Sequence, residues 1–267
     1  MLVALSVLAA CSGTNAPTEV ETPAAEVPEP PPAPKPATVV DGAVVLETDA
    51  GKVTVNPVYH ATTRIDLAGR TIWLDPWSKA ALDDVPKADI ILITDEHQDH
   101  MDPEALKKVT REGAVLVAPA VVKEKLEGFT VAHTLANGES VELDGLTVTA
   151  EPMYNLERGP EEGVVFHDKG RGNGYRLSFG GRTLYFAGDT ECTPEMKALT
   201  GIDLAFLPMN LPYTMTPEEA AACVNAFKPT VAVPYHYAGS DLAAFRAAVE
   251  PGVTVETVEY YPGGLPW

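Results

Sequence analysis

Cysteine is scarce in this chain: three in 267 residues, at Cys11, Cys192 and Cys223. No two have CxxC spacing, which argues against a structural zinc site built on cysteine. Cations are scarce too, 19 Lys and Arg against 38 Asp and Glu, for a net charge of −19. A surface this acidic repels phosphate backbones at long range, so nucleic acid is not expected as a partner, and solubility is the plain reading of the charge itself. Long apolar runs are missing. The one at the start, Met1 to Ala10, is too short to span a bilayer. What is present is enough apolar content, 45%, to bury a full core over one large domain. Only six histidines occur, at positions 60, 97, 100, 133, 167 and 236.

The apolar start leads into Leu8-Ala9-Ala10-Cys11, which resembles a bacterial lipoprotein signal, although no Lys or Arg precedes the run. The resemblance implies a signal over 1–10, lipid on Cys11 and a cell-envelope location. Ser12 after the cysteine favours the outer membrane, facing the periplasm. Residues 11–38 then read as the lipidated cysteine and a proline-rich tether: Ser12 to Thr38 hold eight of the 24 prolines and almost no large apolar side chains. Cys192 and Cys223 are left for the folded part, 39–267. An oxidising compartment would let them pair, which sequence alone leaves open.

From Val39 the chain reads as strands and turns, then as alternating strands and helices, and then the whole pattern repeats. Strands are expected at Ala43–Thr48, Lys52–Val58, Arg70–Leu74, Ile90–Ile93, Ala114–Ala118, Phe129–Ala132, Glu139–Leu143 and Leu146–Ala150, with helices at Pro103–Thr110 and Pro119–Lys125. After an irregular stretch from Met153 to Asn173 come strands at Tyr175–Phe179, Thr183–Ala187, Asp203–Leu207 and Val231–Pro234. Helices at Pro194–Leu199, Pro217–Phe227 and Asp241–Val249 are interleaved with them. Thr216-Pro217-Glu218-Glu219 is a capping box with proline at the first helical position. Two packed sheets with helices outside, in two related halves, satisfy this order.

The chemistry concentrates in Thr94-Asp95-Glu96-His97-Gln98-Asp99-His100, between the apolar strand Ile90–Ile93 and the helix start Asp102-Pro103. It puts two histidines and two aspartates into a loop leaving a core strand, where α/β proteins place their sites. His236 follows another such strand, and Asp189 in Gly188-Asp189-Thr190 a third. If those strands are neighbours, imidazoles and carboxylates converge on one edge, a donor mix that suits zinc, or manganese and iron where carboxylates dominate.

These fragments together resemble the metallo-β-lactamase fold. They are Asp95 to His100 against the HxHxDH motif, His60-Ala61-Thr62, Leu74-Asp75-Pro76, Met153-Tyr154-Asn155, Ala187 to Thr190 and Pro234-Tyr235-His236. The closest resemblance is to the ascorbate-6-phosphate-lactonase-like branch. It implies a four-layer αββα sandwich of two related halves and a site of one or two divalent metal ions, Zn or Mn with Fe possible. His97 would serve the first metal, Asp99, His100 and His236 the second, and Asp189 would bridge them. Asp99 and Asp189 would thereby be the catalytic carboxylates around an activated water.

Two departures bear on the chemistry. The first motif histidine is Asp95, which still offers oxygen to a metal and would make that side harder. The family's third histidine has no clear counterpart; His167 is the nearest candidate. One metal on Asp99, His100, Asp189 and His236 is therefore the alternative to two. His60, Tyr154 and Asn155 are candidate supporting or substrate contacts; His133, Trp73 and Trp77 read as structural. The expected function is hydrolysis of an ester, lactone, amide or phosphodiester bond in a small or lipid-derived molecule. The alternative is a membrane-tethered protein that binds a metal or ligand without catalysis.

Overall fold

A computed structural model describes Leu2 and residues 35–266. The expected lipidation site, Cys11, and nearly all of the tether lie outside the described residues. The compact unit runs over Lys35–Trp267. Ala37 is buried among core side chains, and the Arg182 guanidinium donates to the Lys35 carbonyl.

Eight strands form the first sheet in chain order: β1 (Thr38–Val40), β2 (Ala43–Thr48), β3 (Gly51–Tyr59), β4 (Thr62–Leu67), β5 (Arg70–Leu74), β6 (Ala88–Leu92), β7 (Thr110–Ala118) and β8 (His133–Thr134). Strands β1 to β5 meander antiparallel, and β5 to β8 run parallel. The second sheet repeats the plan. Strands β9 (Ser140–Leu143), β10 (Leu146–Met153), β11 (Gly172–Phe179) and β12 (Arg182–Phe186) are antiparallel, then β13 (Leu204–Pro208), β14 (Val231–Tyr235) and β15 (Thr254–Val255) continue parallel. Helices α1 (Pro103–Val109), α2 (Ala120–Lys125), α3 (Pro194–Lys197), α4 (Pro217–Phe227) and α5 (Leu242–Ala248) supply the outer layers of an αββα sandwich. The two related halves expected from sequence are this shared sequence of meander and parallel crossovers.

The strands read as they pack. In β12 and β13, Leu184, Phe186, Leu204 and Phe206 face the other sheet, while Tyr185, Ala205 and Leu207 face α4. Both faces are buried, which is why these strands are apolar without alternation. Phe186 and Phe206 stack at 4.4 Å between the sheets. Proline at N1 and a side-chain cap start α1 on Asp102 and α4 on Thr216, where the capping box with Glu219 is complete. A disulfide joins Cys192 to Cys223 and ties the segment after β12 to α4.

The short strands β1 and β15 have no counterpart among the expected strands, and two further expectations need correction. Strand β4 has no counterpart among the expected strands, because Thr62, Thr63, Arg64 and Asp66 dilute its pattern to two apolar residues, Ile65 and Leu67, on the buried face. The segment expected as a strand at Phe129–Ala132 is irregular; its Ala132 N–H donates to the Leu116 carbonyl of β7 at 2.9 Å, and ladder pairing follows at His133, opposite Val117.

Candidate metal centre

Four strand ends meet at one edge of the sandwich. Asp75 follows β5, the Asp95–His100 loop follows β6, Asp189 follows β12 and His236 follows β14. His60, in the turn between β3 and β4, joins them. His60, Asp75 and His236 all adopt positive φ, at 59°, 45° and 47°. Non-glycine residues reach this region at a cost of about 1–2 kcal/mol each, and only where the surroundings fix them. Here the fixing is visible: the His60 N–H donates to the Tyr260 carbonyl at 2.9 Å, and the His236 N–H donates to the His60 carbonyl at 3.2 Å. Gly188 also has positive φ, and a Cβ there would strike the Met153 side chain; its N–H donates to the Tyr235 hydroxyl at 2.8 Å. Asp189 is thus aimed by a backbone that only glycine permits.

One cluster is rich in imidazole. Asp99 Oδ2 lies 3.1 Å from His60 Nε2, 3.6 Å from His100 Nε2 and 3.5 Å from His236 Nε2. Asp189 lies 3.3 Å from His100 Nε2 and 3.4 Å from His236 Nε2. His100 commits its other nitrogen, Nδ1, to Asp75 at 2.8 Å, and Thr94 donates its backbone N–H and its hydroxyl to the same carboxylate. That leaves Nε2 directed inward, the arrangement by which a carboxylate orients a metal-binding histidine. The buried Nε2 atoms of His100 and His236 and Oδ1 of Asp189 have no hydrogen-bond partner. Orphaned buried donor atoms of this kind are what a divalent cation would satisfy. Burial would push His100 down, but Asp189, Asp99 and Asp75 hold it well above its usual range. Burial would push Asp189 up, and His236 and His100 hold it far below the usual carboxylate range instead. Burial and neighbouring His236 depress His60 to about 4.

The second cluster is Asp95, His97 and His167. Asp95 Oδ2 is 2.6 Å from His97 Nδ1 and 3.8 Å from His167 Nε2, and His167 Nε2 is 3.7 Å from Asp189 Oδ2. Asp189 therefore stands between the two clusters. Burial would raise Asp95, but the hydrogen bond and charge of His97 outweigh it and hold the carboxyl at about 2. Asn155 Oδ1 accepts from the His167 backbone N–H at 2.9 Å and lies 2.6 Å from Nδ1, which turns Nε2 toward the site. The guanidinium of Arg171 is 3.2 Å from Asp95.

The structure thus brings together Asp95, His97, Asp99, His100, Asp189 and His236, with His60 and His167 among them and Asn155 behind His167. Tyr154, a candidate contact, is engaged away from the clusters: its hydroxyl donates to Glu195 at 2.8 Å and Lys169 lies over its ring. Trp77, read as structural, lines the cavity over the site. Asp75 as the orienter of His100, and Phe166, Asn210, Tyr213 and Arg171 around the site, went unread; apart from Asp75, which follows a strand, no local pattern marks them. The cavity is about 390 Å³ and is lined by His60, His97, His167, His236, Asp99 and Asp189 together with Trp77, Phe166, Asn210 and Tyr213. A hollow of about 460 Å³ over Arg158, Glu191 and Lys197 is larger but lined by no histidine, so the chemistry belongs to the smaller one.

Fold and clustered donors define a hydrolase of the metallo-β-lactamase class. Residues 54–236 match the beta-lactamase superfamily domain. The chain is 31% identical over 220 residues to a UPF0173 metal-dependent hydrolase of Methanopyrus kandleri, covering 76% of this chain and 95% of that protein. It is similar in structure to a protein of Parabacteroides distasonis described as a metal-dependent hydrolase, with a TM-score of 0.76, 36% identity, and coverage of 81% of this chain and 98% of that one. A metallo hydrolase of Ignicoccus hospitalis superposes with a TM-score of 0.62 at 25% identity, over 78% of this chain and 95% of its own. The chain belongs to the beta-lactamase superfamily and, within it, to the UPF0173 metal-dependent hydrolases. None of these three relatives is described as a lactonase, so the narrower resemblance to the ascorbate-6-phosphate branch finds no support among them.

Proposed function

We propose that this metal-dependent hydrolase cleaves an uncharged carboxyl-type bond, an ester, lactone or amide, in a small or lipid-derived molecule. One observation carries the choice. Among the described residues lining the cavity there is no lysine or arginine, while Trp77, Phe166 and Tyr213 give aromatic wall. A phosphorylated substrate would find no lysine or arginine on that wall and would depend on the metal and the histidines for its counter-charge.

Asp99, His100, Asp189 and His236, with His60 against Asp99, would hold a zinc or manganese ion, and Asp95, His97 and His167 a second beside Asp189. Such an ion supplies a water of lowered pKa and polarises the substrate carbonyl. The chain's own residues do the rest. Asp99 is positioned to take the water's proton, with His60 at 3.1 Å beside it and the Tyr261 hydroxyl 2.8 Å further on at His60 Nδ1. Buried Asn210, on the cavity wall, is placed to donate its amide to a developing oxyanion. Tyr213, on the same wall and partly exposed, is placed to meet the leaving group.

Turnover of nitrophenyl esters, simple lactones and anilides against bis-nitrophenyl phosphate, with zinc or manganese supplied, tests the reading. Carboxyl substrates should lead, and Asp189→Ala should abolish the activity. A diester cleaved faster than every carboxyl substrate would sink it.

The Leu8-Ala9-Ala10-Cys11 run further supports a lipid-anchored enzyme of the bacterial cell envelope, and the paired Cys192 and Cys223 fit an oxidising compartment. No described helix is long and apolar enough to cross a membrane. Cys11→Ser should move the protein from the membrane fraction to the soluble fraction; unchanged partition would refute the anchor.

A further inference from the structure

Arg171 touches the centre although nothing in its own sequence context marks it as part of a site. The start of β11 is pressed against the Thr94–Asp95 segment: the Asn173 N–H donates to the Thr94 carbonyl at 2.9 Å, and a Cβ on Gly172 would lie 3.0 Å from that same oxygen and collide with the Met153 side chain. Arg171 immediately precedes this close approach and is thereby delivered to Asp95. Its Nη2 lies 3.2 Å from Asp95 Oδ2 and its Nη1 lies 3.7 Å from Glu96 Oε1. Glu96 is also engaged by Lys125, which partly neutralises it and leaves the guanidinium charge directed at Asp95. The side chain is mostly buried, at 18% exposure, so solvent screens this charge only weakly.

The consequence is a difference in charge between the two clusters. On one side, Asp99 and the shared Asp189 face three imidazoles and no lysine or arginine among the described residues. On the other, the one carboxylate that belongs to that side alone, Asp95, already carries a guanidinium on the same oxygen that faces His97 and His167. A dication arriving there meets a fixed positive charge a few ångströms behind its ligand.

We infer that Arg171 makes the centre unequal: it weakens divalent-cation binding at Asp95, His97 and His167, so that one ion is held tightly on the His100 side and a second only at higher metal concentration. The inference rests on the reading of the two clusters as metal sites and adds which residue sets their order.

Calorimetric titration of the metal-stripped full chain with zinc tests it, beside Arg171→Gln and Arg171→Lys. The parent should show two steps separated by about tenfold or more in Kd, the scale expected for fixed like charges a few ångströms apart in a partly buried site. Arg171→Gln should tighten the weak step by about tenfold and leave the strong step in place, while Arg171→Lys should keep the separation. Two zinc ions bound in one step by the parent, or a gap unchanged in Arg171→Gln, would overturn the role of Arg171 and leave the metal centre standing. No zinc bound by the parent at all would overturn the metal centre itself and this inference with it. Should Arg171→Gln lose its cooperative melt, Arg171→Met and the parent's own isotherm decide in the same way.

Discussion

On one side of Asp189 stand His60, Asp99, His100 and His236, three of the four almost fully buried, held by strained backbone and by Asp75 behind His100. On the other stand Asp95, His97 and His167, where His97 is half exposed and Arg171 reaches in from β11. The contrast shows that a metal-binding edge is not uniform merely because its donors share one sheet end. The His100 side is fixed by carboxylate-to-imidazole hydrogen bonds and locked dihedrals, the preparation that lets a site bind without reorganising. The Asp95 side has a hard oxygen where the related motif carries a histidine, and a cation competes for it.

The largest break in this comparison is Asp189→Ala, which removes the carboxylate between the clusters. Hydrolysis should fall at least about a hundredfold, the scale of losing a major transition-state stabiliser, with zinc content falling as well; turnover unchanged with metal retained would contradict the shared role. Next comes the disulfide, which closes a loop of sequence separation 31 and tethers the segment that follows Asp189. Cys192→Ser with Cys223→Ser should cost about 3–4 kcal/mol in denaturant unfolding on the loop-closure argument; a change under about 0.5 kcal/mol would show that the tether is idle.

His60 gives a pH-dependent test. Its folded-state value, about 4, lies below the unfolded value of 6.5, so between those limits the unfolded chain binds a proton that the fold refuses. Stability of the metal-free protein should therefore fall as pH drops from about 6.5 to 4, by up to about 3 kcal/mol from this group. His60→Gln should flatten that part of the profile; an unaltered slope would remove His60 as its cause. The smallest effect sharpens the contrast most: Asp75→Asn should weaken zinc on the His100 side about 10–100-fold while leaving the weaker step near its parent value. Equal loss on both sides would mean the clusters are not separately built.

Much of this was legible along the chain because buried strands announce themselves as apolar runs between turns, and because few histidines stood at their ends. Six donors chosen on that basis, from Asp95 to His236, lie together in space. What was not legible came from long-range placement. His167 sits in an irregular stretch, and the Asn155 hydrogen bonds turn it inward. Tyr154, its near neighbour in sequence, is turned away by Glu195. Trp77 reads as core because it is nearly buried, yet its remaining edge is cavity wall. Arg171 acquires its meaning from Gly172 packing against Thr94, 78 residues earlier. Strand β4 was missed because polar residues occupy its other face.

The most direct measurement is an anomalous-scattering map from crystals of the full chain grown with one equivalent of zinc. The contrast drawn above predicts a single strong peak among His100 Nε2, His236 Nε2, Asp99 and Asp189, with little density beside Asp95. A first peak beside Asp95, His97 and His167, or no peak at this edge of the sandwich, would contradict it.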